Sequence, residues 1–287
     1  MTARPRRSAL YMPASNAKAL EKARTLACDV VILDLEDAVA PDAKDLAREQ
    51  AVAAVAQGGF GRREVVIRVN GLDTPWGEAD LRAAAAAKPD AVLVPKVNTA
   101  EDVAAYSGPL HADTRLWAMV ETGRALFAIE SIAAAAATTQ LGAFVMGTND
   151  LAKEMRWRIT PGREAFHAAL SLSVAAARIH GLAILDGVPN DIEDLEALEA
   201  VCRQGVDFGF DGKTLIHPKQ IEVCNAVFSP APAEVDFARA VIAAFALPEN
   251  AGKGAIRVEG RMAELLHLDQ ARRLVAVAES IREAEAA

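Results

Sequence analysis

V-V-I-L-D-L-E-D-A-V, residues 30–39, is the stretch on which the fold turns. It begins as an unbroken run of Val, Ile and Leu. That is the pattern of a strand covered on both faces, not the alternation of a strand with one wet face. It ends in three carboxylates, Asp34, Glu36 and Asp37. Acids this close repel one another and cannot be buried without partners, so a cationic group has to meet them at the strand's end. An acid just past a strand is also a common start for the next helix, a role open to Asp42 after Pro41. The choice between a site and a cap rests on whether other strands end in the same way.

Apolar runs of the same type recur at 9–12, 65–69, 91–94, 116–120, 143–146, 183–185 and 206–210. Successive starts lie roughly 20 to 40 residues apart, the length of one strand-loop-helix-loop unit. The intervening segments 17–26, 44–57, 78–87, 126–136, 164–180 and 192–204 carry apolar residues three and four apart, as amphipathic helices do. Alternation of strand and helix means a parallel sheet, and eight repeats fit a closed (β/α)8 TIM barrel better than an open doubly wound sheet. The expected organisation is an α/β barrel over residues 1–228. A C-terminal helical extension over 229–287 follows, with a helix at 233–246, a glycine-bearing loop at 248–260 able to act as a lid, and a last helix from about 262.

The 287 residues are 52% hydrophobic, only 5% aromatic and 24% charged, which calls for an aliphatic, alanine-rich core. A net charge of −8 argues against a nucleic-acid partner, whose affinity would come from neutralising phosphates with a basic face. Cys28, Cys202 and Cys224 are odd in number and far apart, giving neither a disulfide framework nor a thiolate metal site. The basic start, Arg4, Arg6 and Arg7, precedes too short an apolar stretch for a signal peptide, and no window approaches a membrane span. The expectation is a cytoplasmic protein acting on a small molecule.

In a barrel the catalytic groups come from the carboxyl ends of the strands, where the loops converge. Here those ends carry Asn16, then Asp34, Glu36 and Asp37, then Arg68 and Asn70, Lys96, Glu121, Asp150 and Asp186, with Asp211-Gly212-Lys213 and His217 after the last. Charges of both signs at nearly every end favour a catalytic mouth over solvated surface. Glu121 and Asp150 have no Cys or His ligand pattern nearby, and an all-oxygen pair suits a hard, partly hydrated cation such as Mg²⁺. Arg68 and Lys96 leave inward-facing runs and need negative charge beside them, either the acids or an anionic substrate. Pairing of Arg68 with Asp34 or Glu36 is an equally physical reading. Lys213 in G-K-T is similar to the end of a phosphate loop without its full spacing. His217 before Pro218 reads as structural.

Taken in order, L-Y-M-P-A-S-N, V-I-L-D-L-E-D-A-V, R-V-N-G-L-D-T-P-W-G, L-V-P-K-V, E-T-G-R-A-L, G-T-N-D-L and G-K-T-L-I-H-P-K-Q-I resemble the citrate lyase beta-subunit and malyl-CoA lyase family from residue 10 to 221. The resemblance implies a (β/α)8 barrel with Mg²⁺ on Glu121 and Asp150, Arg68 at the substrate and a homotrimer or hexamer. It implies a CoA thioester cleaved beside the thioester to acetyl-CoA or a homologue and a 2-oxo acid, the reaction of a carbon-carbon lyase. Asp37 or Glu36 would take the hydroxyl proton or orient Arg68. Asn16, Lys22 and Lys96 would meet the CoA. Glu264 stands where the family's tail places an Asp credited with α-carbon proton exchange; an exposed helix residue is the bland reading of the same position. Alternatives within the same mouth are a malyl-CoA thioesterase, a citrate lyase subunit acting on a carrier-bound acyl group, and a metal-dependent 2-oxo acid aldolase.

Overall fold

Eight parallel strands close into one barrel in chain order: β1 (Ser8–Pro13), β2 (Val30–Asp34), β3 (Glu64–Arg68), β4 (Ala91–Val94), β5 (Arg115–Val120), β6 (Leu141–Met146), β7 (Ala183–Asp186) and β8 (Gly212–Leu215), with β8 pairing back onto β1. The structure is a computed structural model and describes residues 4–286. It divides into two compact units, Arg6–Phe228 and a second that runs from Ser229 onward and takes in the residues before Arg6. Among the described residues no helix is long and apolar enough to cross a membrane.

The first unit is the barrel expected from the alternation of apolar runs and amphipathic segments. Its main helices are α1 (Ala17–Ala23), α2 (Lys44–Gln57), α3 (Gly77–Ala87), α4 (Ala100–Ser107), α5 (Gly123–Ala134), α6 (Thr148–Met155), α7 (His167–Ile179), α8 (Leu195–Phe208) and α9 (Ile221–Val227). The period-2 alternation of a strand sorts its residues into two cores. Ala9, Tyr11, Val30, Ile32, Val66, Leu93, Trp117, Met119, Val145 and Leu185 fill the barrel. Their sequence neighbours Leu10, Val31, Leu33, Ile67, Val92, Val94, Ala118, Val120, Phe144, Ile184 and Leu215 face outward into the layer under the helices.

The eighth strand does not lie at 206–210. Residues 206–208 finish α8, which is capped by Gly209 in the left-handed region at φ 92°. The strand is G-K-T-L, where a Cβ on Gly212 would lie 1.9 Å from the Arg6 carbonyl oxygen, so only glycine lets β8 close against the chain entering β1.

The second unit packs α10 (Pro232–Phe245) and α11 (Leu265–Glu285) with a two-stranded hairpin, β9 (Ala255–Val258) and β10 (Arg261–Glu264). The segment expected as a loop at 248–260 thus contains a strand, and the last helix begins at Leu265 rather than near 262. Glu259 at φ 47° and Gly260 at φ 82° are both left-handed, as a two-residue type I′ hairpin turn requires. Ile256, Val258 and Ala263 alternate inward onto Ala238, Val241 and Ala271. Glu264 precedes α11, and its backbone N–H donates to His267 Nδ1 at 2.9 Å.

Candidate active site

Inside the barrel the top apolar layer includes Ile32, Val66 and Met119. Two residues further along the same strands, still pointing inward by parity, stand Asp34, Arg68 and Glu121, which are 0%, 6% and 2% exposed. A strand end that leaves the sheet with one more inward position thereby presents its last side chain to the mouth.

Arg68 is the hub. Its Nε and Nη2 donate to the two carboxylate oxygens of Asp34 at 2.6 and 2.7 Å, a bidentate fork. Nη1 lies 2.8 Å from Glu36 Oε2 and 3.3 Å from Asp37 Oδ2, and the guanidinium carbon sits 4.6 Å from the Tyr11 ring centroid. Asp34 is further held by the backbone N–H groups of Glu36 at 2.9 Å and Ala38 at 3.1 Å, which bend the chain after β2 around it. The single positive charge is therefore shared among three acids, and Asp34 takes two of its four contacts with them. Burial lifts the Glu36 carboxyl to about 8, because Arg68 opposes it only in part while Asp37, Glu121 and Asp34 add repulsion.

The Glu36 shift carries a testable sign. In the unfolded chain Glu36 titrates near 4.5, and in the fold near 8, so between those values the folded state keeps a proton that the unfolded state has released. Its contribution is complete below about 4.5 and lost as pH rises through about 8, so stability falls with pH across that window. Glu36→Gln should flatten this slope, an effect on the order of a few kcal/mol, when urea unfolding at pH 5 and pH 8 is compared in the absence of divalent cations.

Glu121 follows β5, and Asp150 lies in the first turn of α6 after β6. The Lys96 backbone N–H donates to Glu121 Oε1 at 2.7 Å from a left-handed residue with φ 51°. A Cβ on Gly147 would lie 2.3 Å from the Glu121 Cβ, so glycine makes the room in which that side chain stands. Burial pushes the Glu121 carboxyl up to about 7; Asp150 raises it further, while the Lys96 N–H and Arg68 oppose. A buried acid with a second acid coupled to it and this little positive charge fits a hard divalent cation. Among the described residues no three His, Cys, Asp or Glu side chains gather to hold a metal.

The other candidate residues are placed differently from one another. Asp37 is exposed at the rim beside Arg68. Asn16 caps α1 by accepting the Ala19 N–H at 3.1 Å, and Lys22 is exposed in the last turn of that helix, at the opposite end from the cap. Lys96 is exposed, not inward-facing: the left-handed turn after β4 directs its N–H, rather than its ammonium, to the site. Tyr11 joins the site unassigned by the sequence, since nothing local ties an aromatic in β1 to Arg68.

Asp186 and Lys213 do not belong to the mouth. By strand parity both face outward, and they meet in the layer under α8 and α9: Lys213 Nζ lies 2.8 Å from Asp186 Oδ2, and Arg163 Nη1 reaches both Asp186 oxygens at 2.8 Å. G-K-T is part of this buried ion cluster and of β8, so its likeness to a phosphate loop ends there. Removing one partner strands the other charge in the interior, so Lys213→Met is expected to lower stability by about 3–5 kcal/mol. Urea unfolding together with kcat per folded molecule checks this, and only the first should move substantially.

A family model described as HpcH/HpaI aldolase/citrate lyase matches residues 7–218. Along 97% of this chain and 96% of theirs, (3S)-malyl-CoA thioesterase of Cereibacter sphaeroides (strain KD131) is 51% identical. The L-malyl-CoA/beta-methylmalyl-CoA lyase of Cereibacter sphaeroides (strain ATCC 17029) is 33% identical over the same shares. Among solved structures, the protein CitE from Mycobacterium tuberculosis in complex with magnesium, acetoacetate and coenzyme A superposes with a TM-score of 0.79 at 31% identity, covering 97% of this chain and 100% of that one.

Proposed function

This chain belongs to the HpcH/HpaI aldolase/citrate lyase family, and from that premise we propose that it is a Mg²⁺-dependent thioesterase that hydrolyses a malyl-CoA-type thioester to the free hydroxy acid and CoA. The observation that carries this reading is the 51% identity to a malyl-CoA thioesterase, against 33% to a malyl-CoA lyase over the same share of the chain. It replaces the carbon-carbon lyase as the main reading of the mouth and takes up what the sequence held as the alternative.

Glu121 and Asp150 hold the cation, which when bound supplies a Lewis acid for substrate oxygens. Magnesium in the CitE complex and the all-oxygen donor set support that assignment. Arg68, locked by Asp34 on two of its nitrogens, turns Nη1 toward the rim, where a fixed cation meets the negative charge that develops on the thioester oxygen as water adds. Asp37, exposed beside Nη1, accepts the proton of that water, and the carbon–sulfur bond then breaks to release the CoA thiolate. Burial favours the protonated form of Glu36, which limits the negative charge gathered around Arg68.

Lys22 and Lys96 are proposed CoA contacts on their charge and exposure, and Asn16 on its exposure at the N-terminus of α1. Glu264 is the proposed acid for α-carbon proton exchange, a step that lyase chemistry needs and thioester hydrolysis does not. A homotrimer or hexamer is proposed as well, supported by the large apolar side chains Phe127 on α5 and Leu172 and Ile179 on α7, which are 95%, 55% and 72% exposed.

The test is to incubate the protein with Mg²⁺ and malyl-, citramalyl- or citryl-CoA and identify the products by mass. Malate with free CoA supports hydrolysis. Acetyl-CoA with glyoxylate returns the lyase reading, which the shared Arg68, Glu121 and Asp150 also accommodate.

A further inference from the structure

We propose that Lys44 is a positioning residue of this site: its ammonium fastens the chain after β2 and so aims Glu36 and Asp37 at Arg68. The inference rests on the proposed hydrolase reading for its kinetic consequence, but not for its geometry.

Lys44 opens α2, the end of a helix where the macrodipole disfavours a cation. It is nevertheless only 6% exposed. Its three N–H donors find three acceptors, the carbonyl oxygens of Leu35 and Glu36 and Asn70 Oδ1, each at 2.8 Å, and the ammonium lies 5.3 Å from the Trp76 ring centroid. An ammonium offers three donors, so its capacity is met within the fold and none is left for a ligand. Two of the three bonds end on the backbone immediately before and at Glu36, the residue whose carboxyl reaches Arg68.

The clasp is anchored on its far side. Asn70 donates through Nδ2 to the Leu35 carbonyl at 2.9 Å and to Asp80 Oδ2 at 2.6 Å, and Asp80 Oδ1 accepts from Arg48 Nε at 2.6 Å. The exits of β2 and β3 are thereby tied to each other and to the first turns of α2 and α3. The motif R-V-N-G-L-D-T-P-W-G gains a physical meaning from this. Asn70 is the crosslink and Trp76 covers the ammonium. Gly77 lets α3 approach the loop, since a Cβ there would lie 2.1 Å from the Gly71 carbonyl oxygen. Three amides of the clasped segment are bonded inside it: Glu36 N and Ala38 N donate to Asp34, and Val39 N donates to the Glu36 carbonyl.

The test compares Lys44→Met, which keeps the stem and removes every donor, with Lys44→Gln, which keeps two shorter ones, by steady-state kinetics and by hydrogen–deuterium exchange of the peptide covering residues 34–40. A displacement of about 1 Å at reacting groups costs on the order of a hundredfold. The expected result is a kcat for malyl-CoA hydrolysis lower by about 10- to 100-fold in Lys44→Met, with KM and the Mg²⁺ half-saturation moved less than about threefold, and faster exchange confined to residues 34–40. Lys44→Gln falls between, and it decides alone should Lys44→Met not fold. Unchanged exchange in the variants overturns the proposal whatever the rates do, and so does a parental kcat beside faster exchange. If the parent protein does not hydrolyse malyl-CoA, the function reading fails separately, and the exchange of residues 34–40 still decides whether Lys44 fixes the loop.

Discussion

Arg68→Lys is expected to lower kcat by about 10²- to 10³-fold, the loss seen when one preorganised donor is withdrawn from a developing oxyanion. The reason is geometric. Arg68 serves Asp34 through Nε and Nη2 and the rim through Nη1, and a lysine ammonium has neither the planar fork nor the reach to do both. Seated on Asp34, the ammonium abandons the rim; seated at the rim, it leaves a fully buried carboxylate without its partner. Arg68→Ala should add a stability loss of about 3–5 kcal/mol for the same stranded Asp34, which urea unfolding measures independently of turnover. Near-normal rates in Arg68→Lys would make Arg68 a counter-ion to Asp34 and nothing more.

Glu121→Gln and Asp150→Asn are expected to cost at least about 10³-fold in turnover at saturating Mg²⁺, since a bound cation supplies several kcal/mol of charge stabilisation and each 1.36 kcal/mol is tenfold in rate. A second readout is independent of activity. A ligand present at about a hundred times its Kd stabilises the fold by about 2.7 kcal/mol, so Mg²⁺ should raise the melting temperature of the parent protein and leave that of Glu121→Gln nearly unmoved. The amide shares the shape of the carboxylate and so keeps the Lys96 N–H contact at Oε1, which ties the change to charge. Full activity in excess chelator would remove the cation from the reaction.

The barrel was legible in the chain. A strand buried on both faces has to be apolar along its whole length, and a helix packed on it has to repeat every three to four residues; both patterns are local. Seven of the eight runs mark strands of the closed sheet for that reason. Arg68, Glu121 and Asp150 could be singled out because each stands at, or within a few residues of, the carboxyl end of such a run. G-K-T-L escaped the same rule, because its lysine is buried on a partner contributed by β7, far away in sequence. The hairpin β9–β10 was hidden in a segment whose glycines, Gly252, Gly254 and Gly260, read as a loop, although only Gly260 belongs to its turn.

Which way a strand end faces was decided only by tertiary structure. A single-residue difference in parity sends Asp34, Arg68 and Glu121 into the mouth but Asp186 and Lys213 into the layer beneath the helices, and composition reads the same in both cases. The left-handed turn that exposes Lys96 while lending its N–H to Glu121, and the ammonium of Lys44 enclosed by three acceptors, are likewise invisible along the chain. Periodicity is a property of consecutive residues and can be read from them. The state of a charge depends on what the closed barrel brings within about 3 Å of it, and in this protein the partners come from other strands and loops.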